Sequence, residues 1–230
     1  MNPPRAAKPL GHRTMALAAA DALRQRILGG VYRGGHQLRQ DALASELGIS
    51  RIPLREAFVQ LESEGLVKIL PHRGAIVSET SVDEIDELFQ LRALLEPRLL
   101  RHSAPRLTTE DLAALDMILS EYDAAMLSDD ASRWGELNTA FHQQLYARAE
   151  QPRTASIVAT LLQGTDRYTR MQLSFTDGRA QAREEHARLL QLCRSGDVAE
   201  ACALLTAHIR QAGHALESFI RNRQPQDPES

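Results

Sequence analysis

Apolar positions recur at helical spacing along most of this chain, with one short stretch that breaks the period. Ala16, Ala20, Leu23 and Ile27 predict a first helix from Met15, stopped by Gly29-Gly30. After Arg33-Gly34-Gly35, the residues Leu43, Ala44 and Leu47 mark the inner face of a second, short helix over about Gln40–Leu47, closed by Gly48. A third helix begins at once. Ser50 suits its N-cap, Pro53 is tolerated in its first turn, and Leu54, Phe58 and Leu61 form a buried stripe up to Gly65. Helix, glycine-containing turn and helix make a helix-turn-helix. The break in period is Leu66–Leu70 and Ala75–Val77, two short strands around Pro71-His72-Arg73-Gly74, which together predict a wing.

Beyond Thr80 the helical period dominates, with interruptions at Pro105–Thr108, Ser128–Ala131, Gln151-Pro152, Thr176–Gly178 and Ser195-Gly196. These predict about six helices near 81–103, 109–127, 132–149, 153–174, 178–194 and 197–222. The expected fold is mainly α: an N-terminal winged helix-turn-helix plus a C-terminal all-α antiparallel bundle of about six helices. Residues 1–14, with Pro3, Pro4 and Pro9 and no period, are expected to form a mobile arm. The winged domain then spans 15–78, the helical domain 79–222 and a flexible tail 223–230.

Composition narrows the class. With 230 residues, 43% of them hydrophobic and 25% charged, the chain can bury one or two real cores. No apolar run reaches the roughly 18–20 residues of a membrane helix, and Asp21 interrupts the one leader-like stretch, Met15–Leu23, so a cytoplasmic protein is expected. Cys193 and Cys202 lie outside any CxxC pattern and read as ordinary buried thiols. The net charge of −3 conceals an asymmetry. Residues 1–78 carry 11 Lys+Arg against 6 Asp+Glu, whereas residues 79–230 carry 16 against 24. A basic small domain beside an acidic larger one implies a polyanionic partner for the first alone.

On the third helix Arg51 and Arg55 are four residues apart, on one face and beside the buried stripe. An arginine pair near the start of the second helix of a helix-turn-helix is placed to read base edges, because a guanidinium donates two hydrogen bonds to guanine O6 and N7. Two solvated arginines would look alike in isolation; the turn, the flanking helix, the wing and the basic balance favour DNA.

In the acidic half, His142, His186 and His208 each fall on an apolar helix face. One such histidine reads as a hydrogen-bonded core residue, but three on three helices suggest a shared site. Asn138 lies four residues before His142, so its amide oxygen completes an N3O set suited to a divalent ion, zinc first, with nickel or manganese possible. Arg92, on the first helix of that domain, is the candidate for binding an effector carboxylate. Arg133, Arg167, Tyr168 and Arg170 are weaker candidates, since an acidic neighbour such as Asp166 can tie them up, and Trp134 reads as a packing anchor.

The motif Leu47-Gly48-Ile49-Ser50-Arg51-Ile52-Pro53-Leu54-Arg55-Glu56-Ala57, followed by Glu64-Gly65-Leu66-Val67 and Gly74, resembles the winged-helix domain of the GntR family of bacterial transcription regulators. The resemblance implies that Arg51 and Arg55 contact bases, Ser50 binds a phosphate, and His72, Arg73 and Gly74 bring the wing tip to the minor groove. Asp41 departs from the pattern, standing where some members carry a DNA-contacting arginine, and Arg39 is the nearby residue able to substitute. The second half, through Leu91-Arg92-Ala93-Leu94-Leu95-Glu96, Asn138–His142, Glu185-His186 and His208-Ile209, resembles the FCD ligand-binding domain of the FadR subfamily. The gaps of 4, 44 and 22 residues from Asn138 through His142 and His186 to His208 are similar to those of its metal-binding members. Asn138 in place of the commoner aspartate lowers the charge of the site by one, which weakens its hold on a divalent cation.

The expected function is a DNA-binding regulator, a repressor, working as a homodimer on a palindromic operator in double-stranded DNA and controlled by a small organic acid near the metal. One alternative makes the metal itself the signal, or purely structural. A remote one is a metalloenzyme, for which no HExxH-like pairing names a base. Arg51→Ala or Arg55→Ala is expected to cost about 1–3 kcal/mol of specific binding to an operator selected from random duplexes, with the melting temperature of the protein unchanged.

Overall fold

The computed structural model describes residues 10–222 except Gly29, His72, Thr80, 127–130 and Asp177. The expected 223–230 tail and residues 1–9 of the expected arm lie outside the described residues. The chain divides after Glu79 into two compact units.

The first unit contains α1 (Leu10–Leu28), β1 (Gln37–Leu38), α2 (Gln40–Glu46), α3 (Arg51–Ser63), β2 (Val67–Leu70) and β3 (Gly74–Val77). Helix α1 starts at Leu10, so residues 10–14, expected in the arm, are helical. Once a helix is nucleated, each further residue adds a hydrogen bond without needing an apolar period of its own. Ala16, Ala20 and Leu23 of α1 share a buried core with Leu43 and Ala44 of α2 and Leu54, Ala57, Phe58 and Leu61 of α3. Ile27 and Leu47, predicted inward, are only partly buried, as they sit in or just after the last turn of their helices. Helix α2 ends as predicted: Gly48 takes a φ of 64°, and the amide of Ile49 donates to the carbonyl of Ala44 at 3.0 Å.

The wing has one more strand than the sequence predicts. Strand order is β1-β3-β2, both pairings antiparallel, with Leu38 opposite Ala75 and Val67 opposite Val77. A two-residue strand is too short to show period two, so β1 left no signal. Gly74 makes the crossing possible. Its φ is +99°, and a Cβ there would lie 2.0 Å from the carbonyl oxygen of Leu38.

The second unit is all helical: α4 (Val82–Ser103), a 3-10 turn (Ala104–Arg106), α5 (Thr109–Met126), α6 (Ala131–Leu145), α7 (Pro152–Phe175), α8 (Gly178–Ser195) and α9 (Val198–Arg221). Helix α6 stops four residues before its predicted end. Pro152 opens α7 and disfavours helical backbone at Gln151, so the chain must turn ahead of it, and Glu150 adopts a φ of 53°. Helices α4 and α9 approach closely because Gly213 lacks a Cβ, which would fall 2.9 Å from that of Phe89. Trp134 is a packing anchor, its indole N–H donating to the carbonyl of Ala125 at 2.8 Å in a cluster with Tyr122, Leu137 and Leu173. Both cysteines are free and buried, and burial pushes the Cys193 thiol up to about 11. No helix among the described residues is long and apolar enough to cross a membrane.

Gly74→Ala is expected to destabilise the winged domain by about 1–3 kcal/mol or more, through both the left-handed backbone and the clash with β1. Gly164→Ala is the control: it lies in α7 with nothing within 4 Å of an added Cβ, and the change should be neutral or stabilising by up to about 1 kcal/mol. Denaturant midpoints of the two variants check both.

Candidate metal centre and nucleic-acid interface

Four helices converge on the histidines. Helix α6 supplies Asn138 and His142 one turn apart, α8 supplies His186, α9 supplies His208, and α4 brings Arg92 and Glu96, also one turn apart. His142 and His186 are fully buried and His208 is 7% exposed. Their rings lie 4.9 to 5.4 Å apart, and one nitrogen from each can be chosen so that all lie within 4.8 Å of one another.

Behind the imidazoles stands a carboxylate that the sequence reading assigned no role. Glu96 is completely buried; its Oε1 accepts from Arg92 Nε at 2.6 Å, and its Oε2 accepts from the Tyr146 hydroxyl at 2.6 Å and lies 2.9 Å from His142 Nδ1. Burial opposes its ionisation, but the adjacent Arg92 charge and His142 outweigh that and hold it well below the usual carboxylate range. An ionised carboxylate only accepts, so His142 Nδ1 carries the proton and its Nε2 presents a lone pair. His208 follows the same pattern, with Nδ1 lying 2.5 Å from Oε2 of Glu185. Burial opposes ionisation of Glu185 as well, yet the bonds from His208 and Gln181 lower it below its ordinary value.

The consequence is a set of orphaned acceptors. His142 Nε2 and both ring nitrogens of His186 are buried with no hydrogen-bond partner among the described residues. Burial pushes His142 below the ordinary histidine range and His186 well below it, the second helped by the neighbouring imidazoles, so both stay neutral at neutral pH. Buried polar atoms without partners are costly, and neutral imidazole is the form that ligates a metal. The donor set therefore fits a divalent cation. Glu96 and Glu185, one shell out, supply negative charge that Asn138 does not.

A cavity of about 270 Å³ adjoins this centre, lined in part by Arg92, Asn138, Glu185 and His208. Asn138 is 5% exposed and Arg92 is 3% exposed. Arg92 is partly committed, since Nε serves Glu96 and Nη1 donates to Thr165 Oγ1 at 3.3 Å, while Nη2 has no hydrogen bond to a described residue. The weaker candidates are engaged elsewhere: Arg133 with Glu121, Arg167 and Tyr168 with Glu84, and Arg170 with Asp166.

In the first unit α3 begins at Arg51, and its Leu54, Phe58 and Leu61 face inward while Arg51 and Arg55 are exposed. Ser50 occupies the N-cap position, yet its side chain makes no capping bond, so the hydroxyl is not spent on the helix. Arg39, at the N-cap of α2, and Arg73, on the wing turn, are exposed. Gly74 is buried against β1 and shapes the turn that carries Arg73, while His72 lies outside the described residues.

Residues 15–77 match the family model for bacterial regulatory proteins of the gntR family, and residues 87–211 match the FCD domain. The chain is a GntR-family transcription regulator with a carboxy-terminal FCD domain. The regulator is 30% identical to a GntR-family member of known structure from Pseudomonas syringae pv. tomato, over 93% of this chain and 90% of that one, with a TM-score of 0.54. It is 27% identical to the transcriptional regulator McbR of Escherichia coli over 65% of this chain and 68% of that protein, and 24% identical to the repressor RspR of the same species over 86% of each. The GntR domain makes it a DNA-binding protein and not an enzyme, so the metalloenzyme alternative falls.

Glu96→Gln should leave His142 free to adopt the wrong tautomer and should weaken metal retention by about 10- to 100-fold. Competition against a graded series of chelators measures it, with the helical signal in circular dichroism as the control for folding.

Proposed function

We propose that this regulator is an acid-responsive repressor in which His142, His186 and His208, with Asn138, hold a divalent metal, zinc first, beside a cavity that receives a small organic acid. The observation that carries this reading is the group of unpaired, buried imidazole nitrogens on His142 and His186, beside His208, which lines a cavity together with Arg92. A divalent ion held by these residues would supply positive charge to a carboxylate in the cavity, and Arg92 would donate guanidinium N–H groups to it. Thr169, Gln172, Gln181 and Gln211 add neutral donors and acceptors to the wall, which suit an acid bearing hydroxyl groups.

Arg51 and Arg55 read bases, Ser50 binds a phosphate, Arg39 substitutes for the arginine contact that some members make from the position of Asp41, and the wing turn of His72, Arg73 and Gly74 reaches the minor groove. The regulator works as a homodimer, because a two-fold protein matches a palindromic operator and doubles its contacts. Leu91 and Leu94 on α4 and Ile157 on α7 are exposed, Leu94 by 70%, and are among the apolar positions available to a second copy. RspR, named a repressor, supports repression as the mode of control. The acid acts only through its different affinity for the DNA-competent and incompetent states.

Protein purified without a metal-affinity tag is expected to carry about one divalent metal per chain, and hydroxylated acids should raise its melting temperature only while the metal is present. His186→Ala should lose the metal and the acid response and keep acid-free DNA binding; stoichiometric metal in that variant would refute the ligand set. Operator affinity with metal chelated, restored, and combined with acid separates an acid sensor from a metal-responsive or structurally metallated protein. Release by metal alone selects the metal-responsive form.

A further inference from the structure

The geometry points to Asp41 as a positioning residue that orients Arg51 and so sets which base α3 selects, an inference that rests on Arg51 reading a base edge. Asp41 Oδ1 lies 2.7 Å from Arg51 Nε, and the two side chains are 73% and 70% exposed. So open a pair adds little to the stability of the fold. Its effect is on the shape of the unbound side chain. Arg51 is also held from below, since Gln40 Nε2 donates to its backbone carbonyl at 3.1 Å. Two successive residues of α2 thus grip the first residue of α3, one at the main chain and one at the guanidinium.

The atom that Asp41 engages matters. The carboxylate pairs with the Nε side of the guanidinium, which leaves Nη1 and Nη2, the two parallel donors that guanine O6 and N7 accept end-on. A long side chain already turned to that pose loses less conformational freedom on contact than one drawn from many rotamers. The carboxylate has a second consequence. A negative charge beside Arg51 repels phosphate oxygens, so the guanidinium is discouraged from settling on the DNA backbone, where it would add affinity without selectivity. Both effects widen the gap between specific and non-specific binding. Asp41 therefore acts through Arg51, without touching a base.

The test compares the full-length wild type with Asp41→Ala, Asp41→Glu and Arg51→Ala by binding selection on a duplex library carrying a randomised inverted repeat, followed by sequencing. Arg51→Ala is expected to flatten the preference at one symmetric position of each half-site. Asp41→Ala should lower the guanine preference at that same position by roughly three- to tenfold while tightening binding to random duplex at low salt. Asp41→Glu, which keeps a carboxylate within reach, should retain most of the preference. Melting temperatures should be unchanged, as the position is exposed. If Asp41→Ala keeps the wild-type profile, or alters it only at other positions, while Arg51→Ala flattens its own, the positioning role is overturned and base reading by Arg51 stands. If Arg51→Ala itself keeps the wild-type profile, base reading by Arg51 fails, and the role of Asp41 falls with it.

Discussion

A carboxylate removed from water is tolerable only if its charge is met, and in the FCD domain that constraint centres on Glu96. The residue is completely buried, and Arg92, Tyr146 and His142 occupy its two oxygens. Breaking such a buried pair by removing one partner typically costs about 3–5 kcal/mol, since the other charge is left uncompensated. The same contacts fix the proton on His142 Nδ1 and leave its Nε2 as a buried, unpartnered acceptor on a ring that neighbours those of His186 and His208. A stability requirement on α4 thereby becomes a chemical property of α6. Glu185 repeats the device on His208, so two of the three imidazoles have their tautomer set by a carboxylate from another helix.

Arg92 joins the histidine cluster to the cavity. It neutralises Glu96 with one nitrogen, bonds Thr165 with a second and lines the cavity beside Asn138 and His208. An anion placed near its remaining nitrogen would compete with Glu96 for the same positive charge. Metal and acid affinities would then be linked, and by thermodynamic reciprocity each would alter the other by the same factor. Such an exchange would take place in a setting of low dielectric, where small displacements of charge have large energetic effects.

The winged domain is governed by close approach of backbone. Gly74 lets β1 lie against β3, and Gly48 lets α2 end and α3 begin within a few residues. With the Leu54, Phe58 and Leu61 stripe buried, Arg51 and Arg55 are left outward. Ser50 keeps its hydroxyl off the helix, and Asp41 and Gln40 hold Arg51 from α2. The surface proposed to read DNA is thus built from residues that the core does not need.

Much of this was legible in the amino-acid order, because helical period, glycine stops and the 4, 44 and 22 residue gaps are local or one-dimensional properties. They located α2, α3, the six helices of the FCD domain and the three histidines. What lacked a local signature was missed. The two-residue β1 has no period, the first turns of α1 have no apolar face, and α6 ends early because of a proline beyond it. The larger gap is Glu96, Tyr146 and Thr165, polar residues that look ordinary in their own segments. Their role depends on which groups α4, α6 and α7 place within hydrogen-bond distance, and that distance is set by helix packing. The sequence by itself determined which residues can ligate, donate and cap; only the tertiary structure decided which buried charges meet, because pairing energies depend on separation and dielectric, and neither is a property of residue order.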